Sequence, residues 1–168
     1  KCLSELNFIK YNIDYKKEYY YYSGRCHLKQ KLYQTALTDF DNAILLDKQF
    51  EQAYFYRAET YNAQKKFELA IADYSKSIEL KPQYDTYYKR GIAKYEMGNF
   101  QGDIDDQTLS IIMKADYPDA WYDRGLAYYK LKKYEEGITN FNEAIRLDKD
   151  FELAYYYLGN CYYEKQLY

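Results

Sequence analysis

Several residue types are scarce in this chain of 168 residues, and each scarcity narrows the possible structures. There are only two prolines, which suits long helices. A single histidine argues against a metal site or a histidine-based catalytic triad. The three cysteines are an odd number without framework spacing, which favours idle thiols in a reducing compartment. We therefore expect a cytoplasmic location.

Long runs of like-charged residues and long runs of apolar residues are also missing. Lys and Arg number 24 against 26 Asp and Glu, and the two signs are interspersed, so a nucleic-acid partner gains no electrostatic support. No stretch approaches the roughly 18 apolar residues of a membrane-spanning helix, so membrane insertion is not expected. The sequence contains no phosphate-binding glycine-rich loop after a strand, and we expect neither a cofactor, nor a metal, nor an enzyme.

What the chain does contain is tyrosine, with 26 residues, and a repeated pattern built around it. Aromatic residues precede a Gly or Ala five times, at spacings of 34, 33, 34 and 34 residues. These small residues are Gly24, Ala58, Gly91, Gly125 and Gly159. Self-similarity at this period is the signature of a helical repeat array. Such arrays offer an extended surface to partners rather than an enclosed reactive pocket.

The glycine or alanine is taken as the eighth position of each repeat. The segments are then residues 17–50, 51–83, 84–117 and 118–151, followed by a half repeat at 152–168. Each repeat shows two amphipathic patterns, separated by breaks such as Lys65-Lys66 and Gly98-Asn99. A glycine inside a helix costs about 1 kcal/mol relative to alanine, so its recurrence indicates close helix packing. We predict an all-α solenoid of helix-turn-helix repeats.

This pattern resembles the tetratricopeptide repeat family, whose fold is a right-handed α-solenoid. The second repeat matches the family pattern at Tyr54, Ala58, Tyr61, Ala70, Tyr74, Ser77 and Pro82. The fourth matches it at Trp121, Gly125, Tyr128, Phe141 and Ala144. The resemblance implies a scaffold or adaptor that binds protein segments and has no catalytic activity.

The third repeat departs from the family pattern. Asp103 stands where alanine is expected, Gln107 replaces an aromatic residue and Lys94 replaces a tyrosine. We therefore expect its second helix to be the least regular. Residues 1–16 carry an apolar pattern that fits the second helix of a preceding repeat or a lead-in, and 152–168 fits the first helix of a fifth repeat or a cap.

Arginine recurs at the seventh position, one residue before the small residue. One interpretation is a ladder that binds anions. The alternative pairs each arginine with an acid of the preceding repeat, and we favour it because partly buried charges usually occur in pairs. The predicted inter-repeat pairs are Asp39 with Arg57, Asp73 with Arg90, and Asp106 with Arg124.

The concave surface is expected to come from the second, fifth, sixth, ninth, twelfth and thirteenth positions of each first helix. The fifth position is aromatic in every repeat. Tyrosine offers a large amphipathic contact at low entropic cost, so we predict a tyrosine-lined groove for a peptide. Its candidate partner-binding residues are Tyr21, Tyr22, Phe55, Tyr56, Tyr88, Lys89, Tyr122, Asp123, Tyr129 and Tyr156. The alternative is that these rings mainly pack between neighbouring helices.

The family also includes carboxylate clamps, which hold acidic chaperone tails with Lys, Asn and Arg at defined positions. Starting at the first repeat, the corresponding residues here are Tyr21, Arg25, Tyr56, Asp85 and Lys89. Starting at the second, they are Phe55, Glu59, Lys89, Asp119 and Asp123. Neither set fits, and the acids would repel a carboxylate. We predict that the chain is not a clamp of this type.

Two other functions remain open from the sequence. The array could be an architectural subunit that self-associates or docks into a larger assembly through its C-terminal end. It could also be the tetratricopeptide arm of a longer enzyme.

Overall fold

The computed structural model describes residues 16–166, and within them the secondary structure is helical throughout, without strands. The helices are α1 (Lys16–Lys29), α2 (Tyr33–Leu46), α3 (Glu51–Ala63), α4 (Phe67–Leu80), α5 (Tyr84–Glu96), α6 (Phe100–Met113), α7 (Pro118–Lys130), α8 (Tyr134–Leu147) and α9 (Glu152–Gln166). The predicted all-α fold of helix-turn-helix pairs is confirmed. The helix predicted within residues 1–16 falls almost entirely outside the described residues. Among the helices that are described, none is long and apolar enough to cross a membrane.

The two helices of each pair are joined by a tight turn. One residue in each turn has left-handed backbone geometry, with φ of 61° at Lys31, 58° at Lys65, 77° at Gly98 and 60° at Lys132. These turns coincide with the breaks in the apolar pattern. Glycine adopts this backbone conformation without steric cost, whereas in other residues the Cβ clashes with the backbone. The turn at Gly98 is therefore the least strained of the four.

Of the described residues, 16–82 belong to one compact unit, in which α1 packs on α2, α2 on α3, and α3 on α4. Its core is centred on Phe40, which is fully buried together with Ala36, Ala43 and Ala53. Gly24 on α1 lies against the Phe40 ring, and a Cβ at Gly24 would lie 2.7 Å from it. The small eighth residue therefore makes room for the aromatic residue of the second helix.

Residues 83–166 belong to a second unit, which contains α5 to α9. Consecutive helices again pack together, and Phe141 is fully buried with Ala144, Ala154 and Cys161. A Cβ at Gly125 would lie 2.7 Å from the Phe141 ring. The same pairing of a small eighth residue with a buried ring thus organises the core of each unit.

The expectation that the second helix of the third repeat is the least regular is wrong for its backbone. Helix α6 has 14 residues, as do α2, α4 and α8. Asn99 caps its start by accepting a hydrogen bond from the amide of Gly102 at 3.0 Å. The departure from the repeat pattern lies in the side chains that α6 buries.

Candidate functional site

The residues predicted for the groove differ in how far solvent reaches them. In the first unit, Tyr22 is 43% exposed, whereas Tyr21 is only 9% exposed and belongs to the core around Phe40. Phe55 and Tyr56 are half-buried. Tyr21 therefore contributes mainly packing, and Tyr22 presents the accessible ring of this pair.

An aromatic cluster surrounds Tyr21. Its ring centroid lies 5.0 Å from that of Tyr22, 5.2 Å from Phe50 and 5.6 Å from Tyr56. The guanidinium carbon of Arg25 lies 4.7 Å from the Tyr56 centroid and 5.4 Å from that of Tyr21. Cation–π contacts of this kind hold an exposed arginine in place over a rigid ring surface. Sequence reasoning did not include Arg25 in the groove, although its ninth position could have indicated it.

Tyr88 is the centre of a second cluster, at the start of the other unit. Its ring lies 4.9 Å from that of Tyr117, which in turn lies 5.5 Å from Tyr84. The Lys114 ammonium lies 4.6 Å from the Tyr84 centroid. Burial and the nearby carboxylate of Asp123 raise the pKa of Tyr88, so its hydroxyl stays protonated and donates to that carboxylate.

Asp123 is less accessible to solvent than expected for a charged residue on the surface of a groove. Burial raises its pKa to about 7, helped by the neighbouring Asp119, while the Tyr88 hydrogen bond and the Lys89 charge act in the opposite direction. Both Lys89 and Asp123 are half-buried. Lys89 and Asp123 therefore both lie close to Tyr88, as the groove prediction implies. With a pKa of about 7, Asp123 changes protonation near neutral pH.

A third aromatic cluster lies around Tyr122 in the same unit. Its ring centroid is 4.9 Å from Phe151, 5.9 Å from Phe141 and 6.1 Å from Tyr157. Tyr129 contacts Tyr157 at 5.6 Å, and Tyr156 contacts it at 5.2 Å. Tyr156 itself is 62% exposed, so it projects from a packed base of rings.

The arginines pair in a different register from the prediction. Arg57 donates from Nε and Nη2 to Asp73 of its own repeat, at 2.7 Å each, and from Nη1 to Asp41 at 2.6 Å. Arg90 likewise donates to Asp106 of its own repeat, at 2.9 and 2.7 Å. Each arginine thus reaches the residue 16 positions later, because the paired helices are antiparallel and bring these positions face to face.

The remaining arginine, Arg124, donates to Asn140 at 2.7 Å and to Thr108 at 3.0 Å. Both partners are neutral, and burial accordingly lowers the pKa of Arg124. Asp39 is engaged by His27 instead of Arg57, at 2.7 Å. The predicted pairs Asp39–Arg57 and Asp106–Arg124 are therefore corrected. The repeats within each unit are still linked, through Arg57 to Asp41 and through Arg124 to Thr108.

Helix α6 buries a polar cluster that sequence reasoning recognised only as a departure from the pattern. Asp103, Gln107 and Ser110 are fully buried, and Gln107 donates to Asp103 at 2.9 Å. Within the described part of the chain, Asp103 Oδ2, Gln107 Oε1 and Ser110 Oγ have no hydrogen-bond partner. Burial raises the pKa of Asp103 to about 7. At the positions of Asp103 and Gln107 the other repeats bury an alanine or glycine and an aromatic ring, so the third repeat is more polar there.

The cysteines do not all behave as the composition suggested. Cys161 is a free, buried thiol whose pKa burial raises to about 11, which fits an idle packing residue. Cys26 is disulfide-bonded, so the prediction of idle thiols is wrong for this residue. The argument for a reducing compartment, which rested on those thiols, is weakened accordingly.

No group of three His, Cys, Asp or Glu among residues 16–166 is arranged to hold a metal ion.

Comparison with known families matches this chain to the tetratricopeptide repeat, over residues 51–84 and 118–151. These are the second and fourth repeats, whose residues carried the resemblance. Among curated proteins, no sequence match is found.

Solved structures give a broader likeness. The MamA protein superposes with a TM-score of 0.86 and 22% identity, covering 90% of this chain and 83% of that chain. YrrB, described as a tetratricopeptide repeat protein with an unusual peptide-binding site, gives 0.84 and 16%, covering 99% and 84%. The first repeat domain of Spaghetti (RPAP3), bound to the HSP90 peptide SRMEEVD, gives 0.65 and 23%, covering 68% and 92%. At these identities the likeness establishes the fold.

Proposed function

We propose that this chain, whose second and fourth repeats match the tetratricopeptide repeat family, is a non-catalytic interaction module, a scaffold or adaptor, that binds a peptide or protein segment through its groove tyrosines. The observation that carries the proposal is the arrangement of exposed rings on packed ones. Tyr22 projects above the Tyr21 cluster and Tyr156 above the Tyr157 cluster. A ring already held in place loses little entropy on binding, which favours affinity.

The chemistry of the surface fits a peptide better than a small molecule. Tyrosine rings offer flat apolar area, and their hydroxyls offer hydrogen bonds to a peptide backbone. Arg25 in one unit, and Lys89 with Asp123 in the other, add charges of both signs beside the rings. YrrB has a peptide-binding site, and the Spaghetti domain binds an HSP90 peptide.

Other proposals concern the context in which this chain acts. It could instead act as an architectural subunit, and the exposed face of α9 that carries Tyr155 and Tyr162 is the surface on which this would depend. We also propose a partner other than nucleic acid, because the charges of both signs are interspersed. A cytoplasmic location stays a proposal, and the disulfide at Cys26 removes the cysteine count as an argument for it.

The test uses peptides selected from a random 12-residue display library on the wild-type chain. Their affinity is then measured by fluorescence polarisation for a Tyr22→Ala, Tyr156→Ala double variant. We expect binding to weaken at least about tenfold, because removing an aromatic anchor commonly costs more than 1 kcal/mol. Both side chains are exposed, so the fold should be kept, and circular dichroism checks this.

A matched control is the Tyr155→Ala, Tyr162→Ala double variant, which removes two exposed rings at positions outside the predicted groove. Its affinity should stay within about twofold of the wild type. If no peptide is enriched on the wild-type chain, the proposal is wrong. If the control variant loses binding and the groove variant does not, the face of α9 is the binding surface instead, and sedimentation then tests whether it mediates self-association.

A further inference from the structure

A cleft of about 430 Å³ lies beside the start of α1 and the start of α3, within the first unit. We call it the acidic cleft. Its charged lining consists of Lys17 and Glu18 on α1, Asp47 after α2, and Glu51 at the start of α3. Among the described residues of the lining, there are thus three carboxylates and one ammonium group. Arg25 is not part of the lining.

The one ammonium is already committed. Lys17 Nζ lies 2.5 Å from Asp47 Oδ2, and this pair raises the pKa of Lys17 and lowers that of Asp47, chiefly through their hydrogen bond. Asp47 also accepts from the amide of Gln49 at 2.9 Å. The charges of Glu18 and Glu51 therefore remain for another group.

One oxygen of each of these two carboxylates is buried without a hydrogen-bond donor among the described residues. Glu51 is only 9% exposed, and its Oε1 has no hydrogen-bond partner among the described residues. Glu18 Oε2 is likewise buried without a partner there. Glu51 lies in the first turn of α3, where the helix dipole favours an acid, but that effect supplies no donor to Oε1. A buried acceptor without a donor is destabilising, and more so when it is charged, so an external donor would relieve this cost.

The remaining walls suit a cation. The rings of Tyr21, Tyr22 and Phe50 line the cleft, with Tyr21 and Phe50 centroids 5.2 Å apart. Lys17 already places its ammonium 5.2 Å from the Phe50 centroid while it contacts Asp47. The chain's own lysine thus demonstrates that a cation can lie between a carboxylate and a ring here.

We propose that the acidic cleft binds a basic side chain, lysine or arginine, of the peptide that occupies the groove. The nitrogen would donate to Glu51 Oε1 and Glu18 Oε2, and the aliphatic stem would lie against Tyr22, which the cleft shares with the groove. Among the described residues that line the cleft, no three of His, Cys, Asp or Glu are arranged to hold a metal ion, and the aromatic walls favour an organic cation. This inference rests on the proposed peptide-binding function and names a chemical requirement on its partner.

The experiment selects binders from the same random 12-residue display library on three chains in parallel. These are the wild type, Glu51→Gln and the control Glu68→Gln. Glu68 lies in the first turn of α4, as Glu51 lies in the first turn of α3, but Glu68 is exposed and lies outside the cleft. We expect Lys or Arg to be enriched at one fixed peptide position on the wild type and on Glu68→Gln. That preference should be lost on Glu51→Gln.

The strongest selected peptide is then synthesised with its basic residue and with norleucine in its place. Norleucine should weaken binding to the wild type by about five- to fiftyfold and should have little effect on Glu51→Gln. Glu18→Gln serves as a second variant in case Glu51→Gln fails to fold. Binders without a basic preference, or with one that both Gln variants retain, would overturn the acidic cleft and leave the groove intact. Failure to enrich any peptide would overturn the groove and the cleft together.

Discussion

Arg57 and Asp73 form a two-pronged ion pair inside the second repeat, with Nε and Nη2 each 2.7 Å from a carboxylate oxygen. Asp73 is nearly inaccessible to solvent, and burial also opposes the charge on Arg57. The hydrogen bonds that Arg57 donates to Asp73 and Asp41, and the charges of these carboxylates, overcome that opposition and raise the pKa of Arg57. The pair therefore holds two charged groups in the protein interior by mutual compensation.

Replacing Arg57 by Ala should destabilise the chain by about 3 kcal/mol, because it leaves Asp73 buried and without its cation. Arg57→Lys should recover only part of the loss, since an ammonium cannot reproduce the two parallel bonds. Urea unfolding measures both. The control is Lys76→Ala, which breaks an exposed pair with Glu79 and should cost less than about 0.5 kcal/mol. Equal effects of Arg57→Ala and Lys76→Ala would contradict this account.

The glycines of the eighth position give a prediction of opposite signs. Gly125→Ala should destabilise by about 1–3 kcal/mol, because the new Cβ would lie 2.7 Å from the buried Phe141 ring. Gly159→Ala should stabilise by about 0.5–1 kcal/mol, because nothing lies within 4 Å of the new Cβ and alanine favours the helix. Thermal unfolding of the two variants checks the sign. A gain in stability from Gly125→Ala would show that Phe141 can move aside.

The left-handed turn at Gly98 can be tested separately from packing. Gly98→Ala should destabilise by about 1 kcal/mol, since the backbone has a φ of 77° and no atom crowds the Cβ. Gly98→Asn should cost less, because asparagine tolerates this conformation better. Lys65→Gly should relieve the same strain at a φ of 58°, partly offset by the greater freedom of the unfolded chain. If Gly98→Ala and Gly98→Asn have equal stability, the turn conformation is not the cause.

Asp103 gives a pH-dependent prediction. Burial raises the pKa of its folded state to about 7 from the ordinary 3.8, so the folded chain holds this proton more tightly than the unfolded chain. Its contribution to stability is therefore fully present below pH 3.8 and lost as the pH rises through about 7. Asp103→Asn, which mimics the protonated form, should be more stable than the wild type at pH 8 by an amount on the order of 2 kcal/mol. The difference should shrink as the pH falls towards 4.

The measurement is urea unfolding of both chains from pH 4 to pH 8. Subtracting the two curves removes the titration of other groups, although Lys94, Asp106 and Asp123 act on Asp103 and remain coupled to it. Asp105→Asn, on the exposed side of α6, is the control and should show no such trend. A constant difference between wild type and Asp103→Asn across this range would refute the raised pKa.

Much of the fold could be predicted from the sequence because the repeat signals are local. The apolar spacing that predicts a helix and the break that ends it lie within one repeat, as at Lys65 and Gly98. The small residue at Gly24 also predicts that another helix packs closely there, and in the structure the Phe40 ring occupies that space. The candidate groove is less predictable, since neighbouring aromatic positions look alike in sequence. Tyr21 turned out to be buried and Tyr22 exposed.

The sequence by itself determined the repeat period, the helical pairs and the positions where helices approach closely, since these depend on side chains a few residues apart. Only the tertiary structure decided that Arg57 pairs with Asp73 rather than with Asp39, because the pairing depends on how two antiparallel helices bring residues 16 positions apart together. It likewise decided that Glu51 is buried beside Lys17 and Asp47, since that cleft joins residues from separate helices. Burial and charge compensation are properties of such contacts, and they appear only when distant parts of the chain are packed.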